Sequence, residues 1–324
     1  MNITIIGSGL IGRGWSMIFA SQGHKITLFD ISTEILDSAQ KILQSDLKNH
    51  EKNGSLRNNK NYSADQQMSF ISFSSDLNEA VKNANYIQEC VPEDLSLKHK
   101  VWTNVEKALI ETKNESIEFL ASSTSCLLPK LLFQNLQNEK FKNIAFVAHP
   151  INPPYFVPLV EICPNFPTTK EATVEKAKIL LAEVGQKPVI LKKQVDGFAL
   201  NRLQYPVINA AYQMYKNQVL NAEDLDTVMV HGLGMRYACI GTLETCHLNA
   251  NGFKDYFEKY GPSVTRISDE IIDQGGLSYK FNHENEQKTI EKIDQEMIQR
   301  IPLEKLCEAR NKRDHKLAFI AKME

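Results

Sequence analysis

His149 and Glu161 stand where their side chains could do chemistry together. They flank a turn in the segment Ala145-Phe146-Val147-Ala148-His149-Pro150-Ile151-Asn152-Pro153-Pro154-Tyr155-Phe156-Val157-Pro158-Leu159-Val160-Glu161-Ile162. Two apolar runs read as strands, and the prolines between them fix φ and remove N–H donors, so the turn is expected to be stiff. His149 leaves the first strand and Glu161 sits on the returning one, which lets the turn bring imidazole and carboxylate together. Such a pair makes a general base: the carboxylate fixes the tautomer and orientation of the ring and stabilises the imidazolium. Taken by itself, a histidine beside a proline is more often structural. The N-terminal stretch reverses that judgement.

There Ile3-Thr4-Ile5-Ile6 reads as a buried parallel strand and runs straight into Gly7-Ser8-Gly9-Leu10-Ile11-Gly12, the G-x-G-x-x-G spacing, followed by helix-forming residues. Gly7 allows the tight turn, Gly9 lets the backbone approach a pyrophosphate, and Gly12 lets the helix pack closely on the sheet. Backbone N–H groups at the helix start, with the helix dipole, seat the phosphates. The next strand, Ile26-Thr27-Leu28-Phe29, ends in Asp30, at the distance where a carboxylate meets the adenosine ribose hydroxyls. Its charge repels a 2′-phosphate, and Ile31 and Ser32 supply no compensating cation, so NAD is expected over NADP. A lone glycine triplet is often only a turn; here the strand, the helix and the acid agree.

The elements that must hold these groups follow from periodicity. A helix is expected from Leu10 to Ser21, ended by Gly23, with Trp15 as core. A long amphipathic helix through Ile35, Leu36, Ala39, Ile42, Leu43 and Leu47 ends at Asn53-Gly54, and Ser55 to Asn61 reads as surface loop. Further strands are expected at Phe70–Phe73, Tyr86–Val91, Phe119–Ala121 and Pro188–Leu191, with helices at Asp76–Asn83 and Thr169–Val184. Ligands in open α/β sheets bind beyond the carboxyl ends of strands, which makes Glu93 and Lys98 candidates for the cofactor edge. A helix cap at Glu93 and a solvated Lys98 fit equally well. The hydroxyl cluster Ser122 to Cys126 likewise reads either as donors to a substrate oxygen or as an N-cap before Leu127 and Leu128.

From the hinge Val195-Asp196-Gly197 onward, strand patterning disappears. Helices are expected at Phe198–Lys216, Asp224–His231, Phe253–Gln274, Glu284–Arg300 and Leu303–Lys322. The fold class is therefore α/β: an N-terminal Rossmann-type dinucleotide-binding domain over 1–194 carrying the His–Glu pair, and an all-α substrate and dimerisation domain over 195–324. Apolar residues at helical spacing, from Leu200 and Leu203 to Ala211 and Met214, suit a core or a homodimer interface.

With 324 residues and 42% hydrophobic content, the chain can support two sizeable cores. A net charge of −2 points to neither nucleic acid nor an anionic membrane. No apolar run reaches transmembrane length, and the first strand begins at the second residue, so a cytoplasmic protein without a signal peptide is expected. Cys90, Cys126, Cys163, Cys239, Cys246 and Cys307 form no C-x-x-C pair, and neither a disulfide nor zinc is expected.

With these pieces in place, the chain resembles the 3-hydroxyacyl-CoA dehydrogenase superfamily, and most of all its lambda-crystallin branch, whose enzymatic activity is that of an L-gulonate 3-dehydrogenase. G-S-G-L-I-G-R, Q-E-C-V-P-E-D-L, S-S-T-S-C-L, A-H-P-I-N-P-P-Y, P-L-V-E, G-F-A-L-N-R-L-Q-Y, G-L-G-M-R-Y-A and L-E-T-C-H-L-N-A carry the resemblance almost end to end. It implies that His149 is the catalytic base, Glu161 its orienting partner, and Ser125 and Asn201 donors to the reacting oxygen. It also implies that Leu10, Ile11, Asp30, Glu93 and Lys98 line the cofactor site. Thr242 stands where proline is expected and Cys246 where methionine is expected, both near the substrate pocket so implied. Arg236, in Gly234-Met235-Arg236-Tyr237-Ala238, suits a free carboxylate through two parallel hydrogen bonds, or an ion pair at a domain or dimer boundary. A 3-hydroxybutyryl-CoA dehydrogenase, with Lys48 and Lys52 near the CoA phosphates, a carnitine 3-dehydrogenase, and a crystallin-like structural protein without turnover are the other readings.

Overall fold

The computed structural model describes residues 1–276, Tyr279 and 284–320, with the backbone only for Glu284 and Asn285. Its contacts divide the chain into two compact units, Met1–Leu200 together with Asp314–Glu324, and Asn201–Arg313.

Short apolar runs make the strands of the first unit: β1 (Asn2–Ile6), β2 (Lys25–Phe29), β3 (Ile71–Ser74), β4 (Tyr86–Glu89), β5 (Phe119–Ser122), β6 (Ala145–Pro150), β7 (Leu159–Pro164) and β8 (Lys187–Ile190). They form one sheet in the order β3-β2-β1-β4-β5-β6-β7-β8. Pairing is parallel from β3 across to β6, β7 returns antiparallel to β6, and β8 runs parallel to β7. The helices are α1 (Leu10–Ala20), α2 (Thr33–Lys52), α3 (Ala64–Ser69), α4 (Leu77–Val81), α5 (Leu95–Glu111), α6 (Pro129–Leu132), α7 (Glu139–Lys142) and α8 (Glu171–Glu183). The sequence reading gave α3, α5, α6 and α7 no range, and the longest two of these are α3 and α5. Both begin on a cap: Ser63 and Gln66 form a capping box for α3, and the Asp94 carboxylate accepts from the Leu97 N–H for α5.

Alternation along the strands feeds a core on each face of the sheet. Ile3, Ile5, Phe119, Phe146, Ala148 and Ile162 meet Trp15 and Phe19 of α1 on one face. On the other, Ile6, Ile87, Leu120, Val147 and Cys163 meet Trp102 and Val105 of α5. The same alternation turns His149, two residues past Val147, and Glu161, two before Cys163, to this second face. Ala318 is buried in the first core, and Asn53 Nδ2 meets His315 Nε2 at 2.9 Å, so the stretch from Asp314 belongs with the sheet. That differs from the expected division, which assigned all of 195–324 to the helical domain.

The second unit is helical: α9 (Leu200–Lys216), α10 (Ala222–Val228), a π-helical stretch (Met229–Gly234), α11 (Met235–Tyr237), α12 (Thr242–Leu248), α13 (Phe253–Asp273), α14 (Glu284–Arg300) and the first part of α15 (Leu306–Ile320). The expected end of the last helix, at Ala321 and Lys322, lies outside the described residues. No helix among the described residues is long and apolar enough to cross a membrane.

Candidate active site

The β6–β7 hairpin places His149 directly opposite Glu161 in the antiparallel register. Cross-strand neighbours share a face, and here the side chains meet: His149 Nδ1 lies 2.9 Å from Glu161 Oε2. The second carboxylate oxygen, Oε1, accepts the backbone N–H groups of Ala199 at 2.8 Å and Leu200 at 2.9 Å. A carboxylate acting only as an acceptor assigns the proton to Nδ1 and leaves Nε2 with its lone pair. Both residues are buried, and the Phe198 ring packs against the imidazole with centroids 5.5 Å apart. Phe198 is itself fully buried and holds φ at +51°, in the left-handed region that a bulky residue rarely adopts. The two hydrogen bonds that the Ala199 and Leu200 N–H groups, just after Phe198, donate to Glu161 help hold that conformation.

The proline corner between the strands is braced from outside. A Cβ on Gly14 would lie 2.5 Å from Pro154 Cγ, so α1 receives the corner only because residue 14 has no side chain. Tyr155 stacks on His50 with centroids 4.8 Å apart, the Arg57 guanidinium carbon lies 5.2 Å from the centroid of the Tyr155 ring, and the Tyr155 hydroxyl accepts the Arg57 backbone N–H at 2.8 Å.

At the carboxyl edge of β1, Gly7 holds φ at +99°, and a Cβ on Gly12 would lie 1.9 Å from the Gly7 carbonyl oxygen. Gly9 faces open space, so the backbone there is available to a ligand. A cavity of about 730 Å³ opens over this loop, lined by Gly7, Gly9, Leu10, Ile11, Asp30, Glu93 and Ser125 among others. Asp30 Oδ2 accepts from the Ser8 N–H at 2.9 Å and from its hydroxyl at 2.7 Å, while Oδ1 accepts the Ile31 N–H at 2.9 Å. The carboxylate is thereby fixed at the end of β2. An open glycine backbone at a helix start, a fixed acid and a long groove between them fit a dinucleotide.

Lys98 departs from both sequence expectations, since it is neither solvated nor in the lining of the groove. It is 1% exposed, and its ammonium donates to Glu89 Oε1 at 2.7 Å and to the Val91 carbonyl at 3.0 Å, with Glu93 Oε2 at 3.3 Å. Glu93 does line the groove; its Oε1 accepts from the Thr124 hydroxyl and from the N–H groups of Ser125 at 2.9 Å and Cys126 at 3.2 Å. Burial pushes the Glu93 carboxyl up, but those hydrogen bonds and Lys98 outweigh it and hold it below its ordinary value. Burial drives Glu89 the other way, upward, against the pull of Lys98. The cap of α5 is Asp94, so Glu93 is left to bind the Ser125 loop.

The structure thus brings His149 to Glu161, and gathers Gly7, Gly9, Leu10, Ile11, Asp30, Glu93 and Ser125 around one groove. Gly12 packs behind that loop and Lys98 behind Glu93; His149 and Glu161 are not in the lining. Asn201, in the first turn of α9, and Arg236, in α11, belong to the second unit. Arg236 is exposed and has no ion-pair partner among the described residues. Sequence reasoning named Ser123 only within the hydroxyl cluster Ser122 to Cys126, and it missed Gln88 and Glu89. Gln88 Nε2 donates to Ser123 Oγ at 2.7 Å and faces the carbonyl of Ala148, next to His149, at 3.3 Å. Their signal was a polar pair, Gln88-Glu89, at the end of an otherwise apolar strand.

Comparison with known proteins matches this architecture along most of the chain. Residues 2–195 match the 3-hydroxyacyl-CoA dehydrogenase NAD binding domain, and residues 197–285 the C-terminal domain of the same family. Lambda-crystallin from Oryctolagus cuniculus is 40% identical, the match covering 99% of this chain and 96% of that protein. An L-carnitine dehydrogenase from Bacillus cereus is 31% identical over 81% of this chain and 76% of its own length. The crystal structure of 5-formyl-3-hydroxy-2-methylpyridine 4-carboxylic acid 5-dehydrogenase has the same fold, with a TM-score of 0.75 at 21% identity, covering 99% of this chain and 97% of that one. A glycine groove for NAD, a buried His–Glu pair on an adjoining hairpin and these matches converge: the chain belongs to the 3-hydroxyacyl-CoA dehydrogenase family, on its lambda-crystallin branch, and is an NAD-dependent oxidoreductase of hydroxyl groups.

Proposed function

We propose that this protein oxidises the C3 hydroxyl of a small hydroxy acid bearing a free carboxylate, L-gulonate foremost, to the 3-keto acid. The observation that carries the reading is the buried His149–Glu161 pair, with Nδ1 occupied by the carboxylate and Nε2 left as base. His149 Nε2 takes the hydroxyl proton, and Glu161, anchored by the Ala199 and Leu200 N–H groups, stabilises the imidazolium that forms. Ser125 and Asn201 are assigned as hydrogen-bond donors to the reacting oxygen. NAD, when bound, supplies the hydride acceptor. Gly7, Gly9, Leu10, Ile11 and Gly12 form its phosphate seat, Asp30 holds the ribose, and Glu93 braced by Lys98 borders the far end.

Arg236 is assigned to the substrate carboxylate, which a thioester does not offer. Arg236 is exposed on α11, so its guanidinium is open to an anionic ligand. The CoA reading is less well supported, because Lys48 lies 3.4 Å from Asp65 and is partly neutralised before any phosphate arrives. The similarity to an L-carnitine dehydrogenase keeps carnitine, also a carboxylate, as the second substrate to try.

We further infer a homodimer through the helical unit, in the cytoplasm as the sequence suggests. On α13, Phe253, Phe257, Tyr260, Val264 and Ile267 recur at alternating spacings of four and three and are all 43–48% exposed. Such a seam is the pattern by which one helix packs on another.

The deciding experiment follows NADH absorbance with L-gulonate, L-carnitine, 3-hydroxybutyrate and 3-hydroxybutyryl-CoA. The highest kcat/KM is expected for gulonate. A clear preference for the CoA ester overturns the substrate assignment, and so does the absence of turnover on all four.

A further inference from the structure

Ser123 lines the dinucleotide groove, and its hydroxyl has one proton and two lone pairs to place. Two donors occupy the lone pairs. Trp15 Nε1–H, which can only donate, reaches Oγ at 3.2 Å, and Gln88 Nε2–H reaches it at 2.7 Å. The surroundings fix which way the Gln88 amide points. Its Oε1 accepts from the Tyr86 hydroxyl at 2.6 Å while Nε2 also faces the Ala148 carbonyl at 3.3 Å, so a flipped amide would set oxygen against oxygen.

With both acceptor sites taken, the Ser123 hydroxyl can act further only as a donor. Its remaining polar neighbour among the described residues is Cys90 Sγ at 3.2 Å, which also lines the groove. A thiol sulfur is a weak acceptor. Burial pushes that thiol up to about 12, so no thiolate competes for the proton. The serine therefore presents an underused donor to the groove, held in place by an indole and an amide.

We propose that Ser123 is a cofactor-binding residue whose Oγ–H donates to the carboxamide oxygen of the nicotinamide ring and so sets the rotation of that ring. The inference rests on NAD occupying the groove with its adenosine ribose at Asp30, which leaves the nicotinamide for the side of the groove where β5 ends. The far end of the same network suits this role. The amide that saturates Ser123 also touches the Ala148 carbonyl, one residue before the base, and thus ties the ring's donor to the strand that carries His149.

Calorimetric titration of the wild type and Ser123→Ala with NADH and with ADP-ribose tests it. The variant is expected to bind NADH about three- to tenfold more weakly, the range of one hydrogen bond, and to bind ADP-ribose, which lacks the ring, as the wild type does. Equal losses for both ligands, or a loss for neither, overturn the proposal. If Ser123→Ala does not fold because Trp15 and Gln88 lose their acceptor, the wild type decides. It should prefer NADH to the thionicotinamide analogue, whose sulfur accepts poorly, by a similar factor, and equal affinity overturns the proposal. A wild type that binds no NADH would sink the cofactor assignment itself, whereas NADH binding without gulonate oxidation would sink only the substrate reading.

Discussion

The two units treat their side chains in opposite ways. In the first, the sheet is covered on both faces and even the ammonium of Lys98 is enclosed, satisfied by Glu89, Val91 and Glu93. In the second, the buried residues among those described are Asn201, Tyr212, Gln213, Tyr215, Ala222 and Thr245, while the large apolar residues of α13 stand exposed. Desolvated charge survives only where every donor and acceptor is met, so the sheet unit can hold a base and an acid in fixed geometry without outside help. A helical unit of this size with so little buried apolar surface lacks the main term that offsets chain entropy. On the proposed function the contrast is a division of labour: the first unit would carry the proton chemistry, and the second would take its covering surface from a second copy.

The largest expected effect breaks the first half of that comparison. His149→Ala should lower turnover by about 10² to 10⁴-fold, the range of general-base help, with NADH affinity by calorimetry nearly unchanged. If NADH binding collapses with activity, His149 belongs to the groove and not to the proton step. Next, Phe257→Glu with Val264→Glu puts two carboxylates on the exposed seam of α13. Sedimentation should then show a monomer with a lower Tm, while a wild type that already sediments as a monomer removes the proposed interface. Arg236→Met comes third, with kcat/KM for gulonate falling about 10- to 100-fold, as expected for charge-assisted hydrogen bonds, and 3-hydroxybutyryl-CoA unaffected. An unchanged value for gulonate discards Arg236 as the carboxylate ligand.

What could be read from the chain divides along the same line. The glycine loop and Asp30 were legible because strand, turn and helix dictate them within a short segment, and His149 with Glu161 because one hairpin sets their register. Lys98 was not, since its burial depends on Glu89 lying at the end of a strand covered on both faces. The Trp15–Ser123 contact joins residues 108 apart, a separation at which periodicity carries no information. Trp15 was expected as plain core; it is core, and its indole N–H is also engaged. In the helical unit, periodicity found most of the helices but not which apolar faces stay exposed, because every amphipathic helix looks as though it should be covered.

The smallest effect sharpens the comparison by titrating a bracing group of the first unit. His50 stacks on Tyr155 and meets Phe156 edge-on at 5.2 Å, both in the corner that follows His149. Burial lowers its pKa from 6.5 to about 4, with Asp314 pulling upward and His315 downward. Because the folded value is the lower one, the unfolded chain binds more protons between about 4 and 6.5. The stability associated with neutral His50 is therefore complete above about 6.5 and is lost as pH falls toward about 4. His50→Gln gives up the ring stacking, about 1 kcal/mol, at neutral pH, but no longer has an imidazole to protonate. Urea unfolding at pH 7 should rank the wild type above the variant, and the gap should narrow or reverse near pH 4.5. A gap that stays constant across that range would mean that the pocket behind Tyr155 admits water freely, and that the catalytic corner is braced by packing at Gly14 and Pro154 instead of by an enclosed neutral ring.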